Sequence, residues 1–287
     1  PTVDYDEHIR IIEVVVQAAA GRLKVLAGTG GNSTKEAIYL TQRAEAVGAD
    51  GSLQVAPYYN KPTQEGLFQH FREVARCTEL PIVLYSIPGR CGVEIGVDTV
   101  QRLAATCKNI VGIKESGSDI AQIADLVALT PPDFAVLAGS ASTFHAALGA
   151  GVRGAILALG ALLPDACVRL FDLARAGRMD EARALQRQVL PLARLISTGY
   201  GVPGFKAALR LTGVDAGWPR LPLAPAPANA PMKSASAALA ALRPAPAPMA
   251  APMAAPLSAL NTRGGKLTAS ASRMTARAVD IALFLRD

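Results

Sequence analysis

Short apolar runs alternate with longer amphipathic stretches over the first 212 residues of the chain. Each run has five or six residues and ends at Gly, Pro or polar side chains. Such runs are typical of strands buried on both faces. The pattern therefore predicts six strands, at residues 24–28, 52–56, 81–86, 110–114, 134–138 and 154–159.

Helices are predicted before, between and after these strands, where apolar residues recur at helical spacing. The first covers residues 4–20, with acidic side chains at its N-terminal end, and Ser33 or Asn32 is predicted to cap the second. A short helix rich in small residues is predicted just before the last strand. The others are predicted at residues 33–48, 64–77, 97–107, 119–129, 165–176, 179–196 and 203–212.

Strand and helix alternate six times, and such connections predict a parallel α/β sheet. The loops after the strands are rich in Gly, Pro, Tyr and Ser, whereas the loops before them are plain. This asymmetry is typical of a (β/α)₈ barrel, whose active site is built from the loops after the strands. A barrel needs eight strands, however, so the count of six favours the alternative of an open doubly wound sheet.

The composition changes sharply after Leu223. In residues 224–256, fifteen Ala and eight Pro fill 23 of 33 positions, which leaves little to bury. We therefore predict a globular part at residues 1–223 and a disordered, low-complexity tail at residues 224–287. A brief helix at residues 234–243 is compatible with the sequence between the proline runs.

Charge and cysteine content exclude several classes of protein. The net charge of +6 comes mostly from residues 224–287, which hold seven Lys/Arg against two Asp/Glu, while residues 1–223 hold 22 against 21. The near-neutral globular part predicts no nucleic-acid partner. The four scattered cysteines predict reduced thiols, and no run is long enough to span a membrane. With no leader-like start, we expect a soluble cytoplasmic protein.

The candidate chemistry centres on Lys114, which ends the apolar run at residues 110–114. A lysine at the carboxyl end of a buried strand lies where α/β proteins place their active sites. Partial burial would lower its pKa and make the amine a nucleophile. Taken alone, the position of Lys114 is explained more simply by a solvated lysine just past a strand.

Other strand ends add aromatic and basic groups. Tyr58 and Tyr59 follow the second strand, Tyr85 ends the third, and Arg90 lies in the loop behind it. Phenols near a cation can relay protons, and a guanidinium can bind a carboxylate. Packing aromatics and a surface arginine are the structural alternatives. The Gly-rich loop at residues 28–32 lacks the full dinucleotide spacing and predicts a structural turn.

Four motifs occur together and in order: residues 27–30 (AGTG), 57–67 (PYYNKPTQEGL), 84–90 (LYSIPGR) and 112–115 (GIKE). Through them, residues 1 to about 223 resemble the dihydrodipicolinate synthase family of pyruvate-dependent class I aldolases and lyases. The resemblance implies a TIM (β/α)₈ barrel and a homotetramer. It also implies condensation of pyruvate with L-aspartate 4-semialdehyde, a step of lysine and diaminopimelate biosynthesis.

The resemblance also implies roles for six residues. Lys114 would form the Schiff base with pyruvate, and Tyr85 and Tyr59 would relay protons to and from it. Arg90 would bind the carboxylate of the aldehyde. The backbones of Ile156 and Gly139 would line the pyruvate pocket. No metal or organic cofactor is required for this chemistry.

Two departures from the family pattern lead to further expectations. The family begins with two βα units, the second carrying a Gly-Thr-Thr-Gly-Glu loop, and Pro1–Asp4 resembles the sequence just after it. We therefore expect a truncated barrel without both catalytic threonines, either active or a catalytically inactive remnant. In addition, residues 117–119, 137–141 and 154–159 resemble the 4-hydroxy-2-oxoglutarate aldolase branch about as well as the synthase, and residues 200–204 favour the aldolase. That aldolase is therefore the alternative activity.

Overall fold

The computed structural model describes residues 2–227, 230 and 232–242 of the chain. Within this part, six parallel strands form one sheet, which confirms the predicted number and direction of the strands. The strands are β1 (Leu26–Gly28), β2 (Gly51–Val55), β3 (Ile82–Ser86), β4 (Ile110–Glu115), β5 (Ala135–Ala138) and β6 (Gly154–Ala155).

The order of the strands in the sheet decides between the two predicted architectures. It is β1-β2-β3-β4-β5-β6, so each strand pairs with the next one in sequence. A doubly wound sheet reverses its order at a switch point, and this sheet does not. The alternative of an open doubly wound sheet is therefore wrong. The described strands form a curled half-barrel, consistent with a TIM-barrel-like fold.

Helices flank the sheet. The first precedes β1, each later strand is reached through one or two helices, and the last four follow β6. They are α1 (Tyr5–Ala19), α2 (Thr34–Ala46), α3 (Gln64–Ala75), α4 (Pro88–Cys91), α5 (Val97–Thr106), α6 (Ile120–Leu129), α7 (Phe144–Gly149), α8 (Pro164–Arg175), α9 (Met179–Arg194), α10 (Gly201–Leu211) and α11 (Met232–Leu242). None of these helices combines the length and apolarity needed to cross a bilayer.

Short polar side chains fix where several helices begin. Asp4 accepts a hydrogen bond from the Glu7 amide at 2.8 Å and caps α1. Ser33 accepts from the Glu36 amide at 3.5 Å, so of the two predicted caps for α2, Ser33 and Asn32, it is Ser33 that caps the helix. Asp119 caps α6 by accepting from amides of its first turn. Each cap satisfies amide groups that have no partner inside the helix.

Two of the apolar clusters, called layers here, lie on the two faces of the sheet. The larger lies between strands and helices and includes the fully buried Leu84, Ile113 and Leu126. The smaller lies on the concave face of the sheet, where side chains at alternate strand positions meet. It consists of Val83, Ala135 and Leu137, packed against Leu26, Leu53 and Ile156. The alternation places Lys114 on this concave face.

The structure differs from the prediction after β3 and after β5. The loop predicted at residues 87–92 contains the one-turn helix α4, which is too short to show a periodic pattern. The strand predicted at residues 154–159 ends at Ala155, and a 3₁₀ turn covers Ala158–Ala161. Gly160 N donates to Leu157 O at 3.1 Å in this turn, so the backbone leaves the sheet ladder early.

Part of the predicted tail contains a helix. In α11, Ala235 and Leu239 are buried in the larger apolar layer. Upstream of α11, Arg220 donates to the Glu7 carboxylate of α1 at 2.6 Å and to Thr2 O, which precedes α1, at 3.1 Å. Residues 243–287, for which a disordered tail is predicted, lie outside the described residues.

Candidate active site

Lys114 lies near the carboxyl end of β4, in register with Tyr85 of β3 and Leu137 of β5. Its Nζ lies 3.9 Å from the centre of the Tyr85 ring. Burial lowers the pKa of the Lys114 amine to about 8, because a charged ammonium loses solvation on the concave face. At neutral to mildly basic pH, a useful fraction of this amine is therefore unprotonated and nucleophilic.

The phenol of Tyr85 experiences opposing effects. Burial, the largest of them, raises its pKa. The neighbouring Ser116 hydroxyl and the positive charge of Arg90 act in the opposite direction and favour the phenolate. The net direction is upward, so Tyr85 stays protonated at neutral pH. A protonated phenol beside an amine can donate a proton to a reacting group.

Arg90 is placed by the one-turn helix α4. Pro88 begins this helix, and Gly92 ends it in the left-handed region at φ 70°, with its amide donating to Pro88 O. The Arg90 side chain is exposed, yet its charge acts on Tyr85. The structure thus places an exposed guanidinium close enough to Tyr85 for its positive charge to act on the phenol.

Gly139 and Ile156 follow β5 and β6 and border the same space. The Gly139 amide donates to Glu115 O at 2.6 Å, and the Ile156 amide donates to Ala138 O at 2.9 Å. Both amides therefore donate to carbonyl groups of the neighbouring strands. A Cβ at Gly139 would overlap Ser116 Oγ and lie 3.0 Å from Lys114 Cε, so only glycine leaves room there.

The two tyrosines after β2 are placed differently from each other. Tyr58 is half-buried, packs against the larger apolar layer, and has its pKa raised by burial and by the charge of Glu36. Tyr59 is 88% exposed and adopts φ 72°, a left-handed conformation that is unusual for a non-glycine residue. The structure therefore brings Tyr85 to Lys114, whereas the Tyr59 side chain lies in solvent.

The Gly-rich loop after β1 is structural, as its sequence predicted. Thr29 and Gly30 both donate to Leu53 O at 3.2 Å, and a Cβ at Gly30 would overlap Val55 N. The loop therefore crosses closely over β2. Thr29 Oγ1 is buried and lies 2.9 Å from Gln54 Nε2, so it faces the protein interior.

Two residues that follow Lys114 were not singled out from the sequence. Glu115 is 1% exposed, accepts from the Gly117 amide at 2.6 Å, and has its pKa raised mainly by burial. It fixes the loop behind the lysine. Ser116 lies beside Lys114 and Tyr85, and its position two residues after Lys114 was the available signal, because residues i and i+2 of a strand share a face.

The remaining titratable groups of the described residues do not form a metal site. Within the described part of the chain, no group of three or more His, Cys, Asp or Glu side chains could hold a metal ion. The four cysteines, which are all described, are free thiols. His70 is buried against Thr34, with its Nδ1 at 2.9 Å from Thr34 Oγ1, and burial lowers its pKa to about 4.

Comparisons with known proteins agree with this geometry. The model of the dihydrodipicolinate synthetase family matches residues 1–241. The 4-hydroxy-tetrahydrodipicolinate synthase 1 of Halalkalibacterium halodurans is 41% identical over 225 residues, which cover 78% of this chain and 76% of that protein. The synthase of Desulforamulus reducens is 42% identical over 230 residues, covering 80% of this chain and 77% of that protein.

Solved structures show the same relationship. The synthase of Methylacidiphilum fumariolicum SolV superposes with a TM-score of 0.80 at 42% identity, over 84% of this chain and 80% of that one. A chloride-inhibited dihydrodipicolinate synthase of Acinetobacter baumannii, solved in complex with pyruvate, gives 0.79 at 36% identity, over 83% and 82%. On this evidence the chain belongs to the dihydrodipicolinate synthase family, whose members are lyases.

Proposed function

We propose that the chain is a 4-hydroxy-tetrahydrodipicolinate synthase, which condenses pyruvate with L-aspartate 4-semialdehyde through an imine on Lys114. One observation carries this proposal: a buried lysine amine with a pKa of about 8 lies 3.9 Å from the ring of a protonated tyrosine. An amine that is partly neutral at physiological pH can attack a ketone. The adjacent phenol supplies the proton that the departing oxygen needs.

The proposed chemistry starts when the neutral amine attacks the keto carbon of pyruvate. Water leaves as the imine forms, and the imine withdraws electrons, so the pyruvate methyl group can lose a proton. The resulting enamine attacks the aldehyde. In this scheme Tyr85 donates and accepts the protons, which its position beside Nζ supports. No step requires a metal ion or an organic cofactor.

The other predicted residues are assigned to binding. Arg90 would bind the carboxylate of the aldehyde, which its exposed position near Tyr85 supports. Gly139 and Ile156 would line the pyruvate pocket through their carbonyl groups, since their amides donate to the neighbouring strands. The Acinetobacter baumannii relative solved with pyruvate supports pyruvate as a ligand of this fold. The family resemblance assigns Tyr59 to the proton relay. If it has this role, Tyr59→Phe should lower turnover.

Reductive trapping tests the proposal directly. Borohydride added with pyruvate should reduce the imine and leave a stable adduct on Lys114, located by peptide mass spectrometry. Lys24 offers a matched control, because its amine is exposed and pairs with Asp50. Lys114→Arg should abolish the adduct, and Lys24→Arg should leave it unchanged. Absence of an adduct from every lysine would contradict the proposal and would favour the inactive remnant.

The 4-hydroxy-2-oxoglutarate aldolase is the second candidate, because the same imine chemistry serves both reactions. One of the stretches that resemble this aldolase is residues 117–119. Its Asp119 caps α6, so the presence of this residue also has a purely structural explanation. Assays of aspartate semialdehyde condensation and of hydroxy-oxoglutarate cleavage separate the two activities. If Arg90 binds the semialdehyde, Arg90→Ala should raise the KM for that substrate and leave the imine yield with pyruvate unchanged.

We further propose that the six strands are consecutive strands of an eight-stranded barrel, in which two βα units of the family pattern would precede β1. The sequential order of the strands supports this assignment. Homotetramer formation is a family expectation, and sedimentation velocity of the purified protein tests it. A mass other than that of a tetramer would contradict it.

A further inference from the structure

The carboxyl group of Glu115 lies directly behind the reactive amine. Glu115 follows Lys114 in β4, and consecutive residues of a strand point to opposite faces of the sheet. Lys114 is on the concave face, so Glu115 points, like Ile113, toward the larger apolar layer between strands and helices. Its side chain is 1% exposed. A carboxylate buried in this way is costly unless protein groups satisfy it with hydrogen bonds.

The hydrogen bonds to this carboxyl come from two segments. The Gly117 amide donates to Oε1 at 2.6 Å, and the Gln122 side-chain amide donates to Oε2 at 3.3 Å. Gly117 belongs to the loop after β4, and Gln122 to the first turn of α6. The hydroxyl of Ser86, in register with Glu115 on β3, also favours the charged form of the carboxyl. One buried carboxylate thus links β3, the loop after β4 and α6.

The contact with Gly117 is a close fit. A Cβ at Gly117 would lie 2.8 Å from Glu115 Oε1, which is too short a distance unless one of the two moves. Oε1 cannot withdraw without lengthening its bond to the Gly117 amide. The fit between the loop and the carboxylate therefore depends on a glycine at this position.

The same strand ends carry the reactive pair. Tyr85 is in register with Lys114, and one position further along Ser86 is in register with Glu115. The second pair points to the opposite face of the sheet from the first. The Ser116 amide, which follows Glu115, donates to Ser86 O at 2.9 Å and continues the ladder. Whatever fixes Glu115 therefore also fixes where the amine and the phenol stand relative to each other.

We propose that Glu115 is a positioning residue whose buried carboxylate holds the end of β4, so that the Lys114 amine stays beside the Tyr85 ring. This inference rests on the proposed imine chemistry at Lys114. Glu115 acts through geometry and not through its charge on the amine, because burial accounts for the lowered pKa of Lys114.

Glu115→Ala and Glu115→Gln test the inference. Alanine removes both acceptor oxygens, so the rate of imine formation with pyruvate, measured by borohydride trapping, should fall about 100-fold, the usual cost of displacing a reacting group by about 1 Å. Glutamine keeps an oxygen for the Gly117 amide and should restore most of the rate. In both variants the pH midpoint of that rate should stay at about 8, since no charge that acts on Lys114 is lost.

Gly117→Ala disturbs the same contact from the side of the loop. Its Cβ would displace Oε1, so imine formation should slow here as well, even if Glu115→Ala fails to fold. Leu126→Ala is the control for lost stability, because Leu126 of α6 is fully buried in the same apolar layer. It should lower the thermal unfolding midpoint, while the folded protein forms the imine at the wild-type rate. Circular dichroism identifies the temperature at which each variant is folded for the rate measurement.

Three outcomes would overturn the inference: a wild-type rate in folded Glu115→Ala, a wild-type rate in Gly117→Ala, or a loss in Glu115→Gln as large as in Glu115→Ala. A fall in the pH midpoint accompanying the third would assign the effect to the negative charge of Glu115 instead. Failure of the proposed function looks different, because then the wild-type protein itself would form no adduct with pyruvate.

Discussion

The amine of Lys114 lies 3.9 Å from the centre of the Tyr85 ring, on neighbouring strands in direct register. Two effects oppose each other at this distance. The ring face attracts the protonated amine, whereas burial on the concave face disfavours it. Burial dominates, since the pKa of Lys114 is lowered to about 8. The ring thus covers the amine without fixing it in its charged, unreactive form.

Replacing Tyr85 by Phe should separate packing from proton transfer. Tyr85→Phe keeps the ring beside Lys114 and removes the hydroxyl. Turnover should fall by about 100-fold or more, the usual contribution of a general acid or base. The thermal unfolding midpoint, measured alongside, should change little. Near wild-type turnover would show that another group carries the proton.

Activity should depend on pH through Lys114. The neutral amine is the nucleophile, so the rate of imine formation with pyruvate should rise with pH and level off above about 8. Stopped-time borohydride trapping from pH 6 to 10 measures this rate. A midpoint near the ordinary lysine value of 10.5 would contradict the burial of the amine.

The same shift in pKa affects stability with a definite sign. The folded protein holds the Lys114 proton more weakly than the unfolded chain does. Between pH of about 8 and 10.5 the unfolded state therefore binds more protons, and this group makes stability rise with pH across that window. Denaturant unfolding at several pH values measures this effect. The difference in the free energy of unfolding between the wild type and Lys114→Met should shrink as the pH rises through this range.

Gly139→Ala should damage the site while leaving the fold intact. The added Cβ would overlap Ser116 Oγ and press on Lys114 Cε, so both side chains must shift. A shift of about 1 Å at a reacting group costs about 100-fold in rate. Gly89→Ala is the matched control, because a Cβ at Gly89 meets nothing within 4 Å. Equal yields of the trapped imine in Gly139→Ala and Gly89→Ala would contradict the predicted steric overlap at Gly139.

The loop after β1 offers a paired test of backbone packing. In Gly30→Ala the new Cβ would overlap Val55 N, and backbone atoms cannot move aside cheaply, so we expect a loss of about 2 kcal/mol or more. A Cβ at Gly28 meets nothing within 4 Å, so Gly28→Ala should stay within about 0.5 kcal/mol of the wild type. Urea unfolding of both variants measures the difference.

Most of the fold was predictable because its elements carry strong local patterns. The six apolar runs gave the strands, and Ser33 correctly marked the start of α2. The ends of β6 and the one-turn helix α4 were not predictable, since a two-residue strand and a four-residue helix are too short for periodicity. The order of the strands was also beyond local pattern, because it depends on contacts between distant segments.

The candidate site was predictable to a smaller extent. Strand ends indicated that Lys114 and Tyr85 would meet, and the register confirms their proximity. The same argument could not distinguish Tyr58 from Tyr59, because backbone conformation in the loop decides which side chain faces solvent. Burial of the Ser116 hydroxyl depends on the absence of a side chain at Gly139, which only the packed structure reveals.

The contact between Arg220 and Glu7 has a consequence for the order of folding. Every strand pairs with its neighbour in sequence, so the sheet can assemble by closing one short loop after another. Arg220 and Glu7 are 213 positions apart, and their exposed ion pair joins the segments that precede and follow the whole sheet. We therefore expect this contact to form late in folding and to open early in unfolding, because exposed contacts near chain termini open at low free-energy cost.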